Sequence, residues 1–415
     1  MVKLRVMLIV CLMMLMALSL FPAGAHAQKK LYLGGSFSLT GPYAADTAPA
    51  LSCFKGYAKY VNENKILAPW YPYKKFPADI TLEVMWRDDE LKPAKALSIY
   101  DELKTNGMLV YTVTGSPIAM ALMGRLNEDR IGATSMTSAP FLLLPPKTIF
   151  TVTAIYTDSL AAIADWFLEN WKEPRKPRVA YLTADAALGK SIEVPEMQAY
   201  LEKIGYEFVG SQYVPLVPPA PPTTQLSWLK KSKVDLTLGV MVHPGVEGTM
   251  KESVRLNMGP HQGYKITFGF AYPAHLHYCW SDLGLLAEGL VVAGDFPTWD
   301  ELLPGVKFVR ELQKKYHVDD RVSSNVVGLA KVMIQVEALR LALEKIPFER
   351  LKPADVLEYG FNRIKNFDTG GLTSTTVTYG PSDVEGIEAV RVDQVKGGKI
   401  VKLGTWALRH IYEHK

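Results

Sequence analysis

The stretch 108–140, MLVYTVTGSPIAMALMGRLNEDRIGATSMTSAP, decides the fold. Met108 to Val113 is an unbroken run rich in apolar residues, of the length of a buried strand. Gly115 breaks the run, Ser116 has the chemistry of a helix N-cap, and Pro117 suits the first helical position. Pro117 to Glu128 carries apolar residues at helical spacing, and residues 131–135 read as a second short strand. A strand, a helix and a strand in such close succession imply a right-handed crossover in a parallel sheet.

The rhythm extends both ways. Leu31 to Ser36 reads as a strand entering a Gly-rich turn. Residues 50–62 read as a helix with Leu51, Phe54, Tyr57, Ala58 and Val61 on one side. Residues 80–86 alternate like a strand, and 93–106 form an amphipathic helix stopped by Gly107. After a helix at 160–171 the pattern restarts. Strands are expected at 178–183, 206–214, 234–242, 265–270 and 289–293. Helices are expected at 191–204, interrupted early by Pro195, and at 225–231 and 246–256. Helices at 304–316 and 323–343 follow, then a turn-rich, strand-like tail from 374 to 406. Two α/β units of similar size suggest two lobes. Five prolines between Pro215 and Pro222 favour an extended surface loop over a partner-binding tract.

A chain of 415 residues has room for two or three domains, and 48% hydrophobic with 21% charged residues excludes a disordered chain. The net charge is +4, and two of the positive charges, Lys3 and Arg5, precede an apolar run from Val6 to Phe21. The rest is nearly neutral, so no nucleic acid partner is expected. Pro22, Gly24 and Ala25-His26-Ala27 end the run as a secretory signal does, with cleavage expected before Gln28. The run is shorter than the ~20 residues of a spanning helix, and Cys11 within it lacks the small residues of a lipidation site. Residues 1–27 are therefore expected to direct the chain to the periplasm. Cys53 and Cys279 remain, either paired or as two free thiols.

No dinucleotide fingerprint, P-loop, nucleophile elbow or HExxH pattern occurs. His275, His277 and Cys279 come nearest to a metal cluster but have no fourth ligand close by. No metal and no cofactor is expected. Asp88-Asp89 reads as a pair of solvated caps. Two strand-to-helix junctions stand out instead. Thr112-Val113-Thr114-Gly115-Ser116-Pro117 offers a helix N-terminus and a hydroxyl, suited to a carboxylate. Ser135-Met136-Thr137-Ser138-Ala139-Pro140 adds hydroxyls at the tip of the next strand. Ligands of open α/β sheets lie at the carboxyl ends of strands.

At these residues the sequence resembles the leucine/isoleucine/valine-binding solute receptors of ABC importers. The resemblance runs through Gly35-Ser36-Phe37-Ser38-Leu39-Thr40-Gly41-Pro42-Tyr43 and Arg87-Asp88-Asp89 with Pro93 and Ala96. It continues through Gly115-Ser116, Thr137-Ser138-Ala139-Pro140, Arg178 to Gly189, and Gly284 with Glu288-Gly289-Leu290-Val291-Val292. It implies an α/β, type I periplasmic binding protein fold: two Rossmann-like lobes joined by three hinge crossings, near Thr153, Pro297 and Ser374. The N-terminal lobe would comprise 28–153 and 297–373, and the C-terminal lobe 154–296 and 374–415. The resemblance further implies a carboxylate held between the lobes by Ser116 and Ser138. It also implies delivery to an ABC permease in the inner membrane by a monomeric receptor that is not an enzyme.

The candidate ligand-binding residues are Tyr43, Asp46, Ser116, Pro117, Met136, Thr137, Ser138, Leu188, His243 and Tyr272. Three positions depart from the family's pattern. Leu188 stands where an aromatic often precedes Gly, Val242 where a second aromatic follows a strand, and Gly269-Phe270-Ala271-Tyr272 lacks the usual acid for an ammonium. Asp46 and Asp185 are candidate replacements. The expected ligand is a small carboxylate or other polar head on an apolar body, with or without an amino group. Rival readings are a sensory receptor using the same cleft, and a secreted hydrolase with His243, His275 or His277 as base.

Overall fold

The computed structural model describes residues 29–274, 278–318 and 322–412. The expected leader, His275 and His277 lie outside the described residues, as does the Cys279 side chain. In the first sheet β1 (Lys29–Phe37) lies parallel between β2 (Ile80–Asp88) and β3 (Met108–Val113), and β4 (Ala133–Ser135) and β5 (Ile149–Phe150) extend it in the order β2-β1-β3-β4-β5. The second sheet comprises β6 (Arg178–Ala184), β7 (Glu207–Val214), β8 (Leu236–Val240), β9 (Thr267–Ala271), β10 (Val291–Gly294), β11 (Ala389–Lys396) and β12 (Lys399–Ala407), in the order β12-β11-β10-β9-β8-β6-β7. Its parallel body ends at β10, because β11 and β12 turn back antiparallel as a hairpin. Helices link the parallel strands, as crossovers require.

The chain passes between the sheets three times: after β5, after β10 and before β11. In the second passage it returns to the first sheet. There the helices Pro304–Tyr316 and Val322–Leu343 pack against the helix Ala44–Asn64. Each sheet thus has its own core, with β3 and β8 buried along their whole lengths.

Element boundaries differ from the sequence reading where proline chemistry is permissive. The helix Ala44–Asn64 begins six residues before the expected start and contains Pro49. Pro49 is the sixth residue, past the four amides that have no intrahelical partner, so the helix gives up one hydrogen bond there. Pro195 opens the helix Pro195–Ile204 instead of interrupting it, and a separate short helix, Ala187–Lys190, precedes it. The Pro-rich stretch forms the connection from β7 to the helix Thr223–Lys231. Cys53 is buried with a free thiol, which burial pushes up. None of the described helices is long and apolar enough to cross a membrane.

The packing of Val322–Leu343 on Ala44–Asn64 needs Gly328, since a Cβ there would stand 2.9 Å from the Ala50 Cα. Gly328→Val should cost about 1–3 kcal/mol of stability through overpacking. The check is a urea titration, in which the midpoint falls at unchanged slope.

Candidate functional site

The two junctions meet at neighbouring strand tips. The turn after β3 is made at Gly115, whose φ of 85° a side chain disfavours and whose Cβ would meet the Tyr43 ring at 2.8 Å. Because Gly115 turns the chain, the helix Ser116–Asp129 starts one residue earlier than expected. Ser116 is therefore its first residue and does not cap it by side chain. The Ser116 hydroxyl instead lies 2.8 Å from Thr137 Oγ1, at the end of β4. Thr137 is fixed by its neighbour: its amide donates to Ser135 Oγ at 3.1 Å, and Ser135 Oγ donates to the Thr137 carbonyl. The Thr137 hydroxyl also meets the Tyr156 phenol at 3.0 Å. Three hydroxyls thus run in a chain, Ser116 to Thr137 to Tyr156. Burial pushes the Tyr156 phenol up to about 12, so it stays neutral and able to donate.

These groups form one wall of a narrow, partly open space, of which about 30 Å³ admits a water-sized sphere. Tyr43, Asp46, Thr47, Gly115, Ser116, Met136 and Thr137 line it from the first-sheet side, and Tyr156 reaches it from the start of the helix Tyr156–Asn170, which packs on the second sheet. Leu188, Val242, Tyr272 and Pro273 line it from the second. The first wall is polar and carries a helix N-terminus, whose partial positive charge favours an anion. The facing wall is mainly apolar. Asp46 brings a carboxylate to the polar side, close enough to hold both the Tyr43 and the Tyr156 phenol above the ordinary value, after burial. Helices on the two sides, Ser116–Asp129 and Ala187–Lys190, touch across the opening.

The structure brings Tyr43, Asp46, Ser116, Met136, Thr137, Leu188 and Tyr272 together at this space. Three candidates stand elsewhere. Ser138 faces away: its hydroxyl lies 3.3 Å from Thr151 Oγ1 and also meets Thr153 Oγ1. Thr137 supplies the second hydroxyl in its place, because successive residues at a strand end point to opposite sides. Pro117 follows Ser116 in the helix and is not part of the wall. His243 opens the helix His243–Arg255, with Nε2 4.0 Å from the Glu247 carboxylate. Asp185 pairs with Lys190 at 2.6 Å near the surface.

Sequence reasoning missed the supports. Lys331 and Gln335 lie one turn apart and fully buried on Val322–Leu343. Lys331 donates to the Ser135 carbonyl, and Gln335 donates to the Tyr111 carbonyl and to the Thr112 and Thr134 hydroxyls. Both ligand-facing loops thus rest on one helix. Two polar residues four apart in the otherwise apolar stretch Val326–Val336 were the available signal.

A family model described as periplasmic binding protein matches residues 30–399. A search of curated protein sequences finds no match. Among solved structures, a branched-chain amino acid ABC transporter protein from Thermus thermophilus with bound valine is 22% identical, with a TM-score of 0.78 over 92% of this chain and 98% of that one. A fatty acid ABC transporter substrate-binding protein from Thermomonospora curvata is 20% identical, with a TM-score of 0.75 over 92% and 93%. A leucine-binding protein from Thermotoga maritima is 16% identical, with a TM-score of 0.70 over 91% and 100%. At such identities the likeness speaks for the fold.

Replacing Thr137 by Val should leave the buried Ser116 and Tyr156 hydroxyls short of a partner. The expected loss is about 1–3 kcal/mol in ligand-free protein, read from the denaturant midpoint.

Proposed function

The chain belongs to the periplasmic binding protein family, and on that footing we propose that it captures a small carboxylate-bearing solute between its two halves and delivers it to an ABC permease of the inner membrane. The observation that carries this reading is the Ser116–Thr137–Tyr156 hydroxyl chain at a helix N-terminus, set opposite an apolar wall. The family is one of binding proteins, and the action is binding without chemistry. The ligand's carboxylate docks first on the helix N-terminus and the hydroxyls. The apolar side then closes over its body and removes water. Closure follows the ligand only insofar as the closed form binds it more tightly.

The names of the solved relatives cover branched-chain amino acids, leucine and fatty acids, so the head group is the point to decide. Asp46 can accept from a ligand ammonium, which supports an amino acid. Without that contact, a plain aliphatic or aromatic acid fits the same hydroxyls. Residence in the periplasm follows from the proposed role and from the leader expected in the sequence.

Calorimetry on unfolded and refolded protein decides. Leucine, valine, their deaminated acids and a panel of aromatic acids are titrated in turn. Ser116→Ala is expected to weaken whichever binds by about 1.5–3 kcal/mol, roughly ten- to a hundredfold. An unchanged dissociation constant in that variant would remove the anion site. A preference for the amino acids that disappears in Asp46→Asn assigns the ammonium contact. Equal binding of the deaminated acids rules it out.

A further inference from the structure

We propose that Asp295 is a positioning residue for this site: it clamps the three crossings together and, through Tyr156, couples the place of the ligand hydroxyls to closure. The inference rests on the interlobe reading for where the ligand sits and for the closure it is coupled to. Its test needs no ligand.

Asp295 directly follows β10, in the second crossing, and is fully enclosed. Its Oδ2 accepts from the Ala154 amide of the first crossing at 2.7 Å, and its Oδ1 lies 3.2 Å from Ser374 Oγ of the third. The next amide, Ile155, donates to Glu385 Oε1 at 2.6 Å. The next residue is Tyr156, whose phenol meets Thr137 and whose amide donates to the Ser138 carbonyl at 3.1 Å. Three consecutive residues therefore join the hinge acids to the ligand loop. Ser374 adds a constraint. Its hydroxyl also contacts the Ala389 carbonyl, and it has one hydrogen to give. With that hydrogen on Ala389, a protonated Asp295 donates to Ser374 Oγ. An ionised Asp295 competes for it.

The charges facing Asp295 are few. Lys331 attracts it from Val322–Leu343, and Glu385 repels it from the third crossing. Glu385 is itself held up by burial and faces Asp158 and Asp383 as well. Asp158 accepts from the Arg409 and Ile411 amides and faces His410. The Arg391 guanidinium, on the strand beside β10, is taken by Asp393 and Glu301. Burial pushes Asp295 up to about 7, against the pull of Ala154, Ser374 and Lys331, and burial pushes Lys331 down to about 7. Lys331 sits in the first-sheet core, where the Asp295 charge raises it against burial. Asp295 sits where the three crossings meet, so parting of the halves would wet it and return its acidity toward the ordinary carboxylate range. The closed form then holds the extra proton. Closure is favoured at low pH and is lost as pH rises through about 7.

The test is an interlobe distance measured between spin labels on Met120→Cys and Lys190→Cys, in a Cys279→Ser background and without ligand. Both sites are exposed, on the two helices that touch across the opening, and buried Cys53 stays unlabelled. From pH 5 to 8 the closed-to-open ratio should fall, by at most about tenfold per pH unit for one proton. Asp295→Asn, which keeps the shape, should flatten that profile. Ser374→Ala removes a hydrogen bond that makes Asp295 more acidic, so it should move the midpoint upward. The Tyr156 absorbance, isolated as parent minus Tyr156→Phe, should shift at the same pH as the distance. A flat profile in the parent overturns the proposal even if Asp295→Asn does not fold. So does an unchanged slope in Asp295→Asn, an unmoved midpoint in Ser374→Ala, or a Tyr156 signal that ignores the distance change.

Discussion

The amides of Ala154 and Ile155 lie side by side where water does not reach, and each requires an acceptor. Two carboxylates from remote parts of the sequence provide them, one from each of the other crossings. A buried amide without a partner costs more than the bond itself contributes. The three strands of the hinge are therefore bound to one another before any ligand arrives. Everything nearer the cleft inherits its position from this knot. Tyr156 is the next residue along, and its phenol meets the Thr137 hydroxyl.

On the proposed reading, the cleft would receive an anion without a cation in its wall. Among the described lining residues there is no lysine or arginine. What favours a negative head is dipolar: a helix end and a row of hydroxyls, fixed in advance. The amine that does lie nearby, on Lys331, is held down to about 7 by burial and donates to the Ser135 carbonyl beneath the loop. It shapes the receiver without competing for the ligand. Such an arrangement loses little on desolvation, because dipoles are easier to bury than ions.

Much of the architecture was legible in the sequence. The alternation of short apolar runs with helical periodicity marks both sheets, and the helix Pro304–Tyr316 has the bounds its pattern implied. Gly115 and Ser116 announced one ligand loop by composition alone. The second loop was read one residue out of place. Thr137 and Ser138 both carry hydroxyls, and only the local turn made by Ser135 Oγ decides which one faces the space. Asp295 and Glu385 were invisible for a different reason. They act through pairings more than 130 residues apart, and no local pattern encodes such a meeting.

The proline run between β7 and Thr223–Lys231 crosses the helix His243–Arg255, with Pro218 and Pro222 each 3.8 Å from where a Cβ on Gly248 would stand. That helix begins beside Val242, in the apolar wall. A connection of this length in ordinary residues would bring much conformational freedom to be lost on folding. Fixed pyrrolidine rings have surrendered most of it already in the unfolded chain. The segment thus behaves as a stiff strap whose entropic debt is small, and it braces from outside the helix that follows Val242.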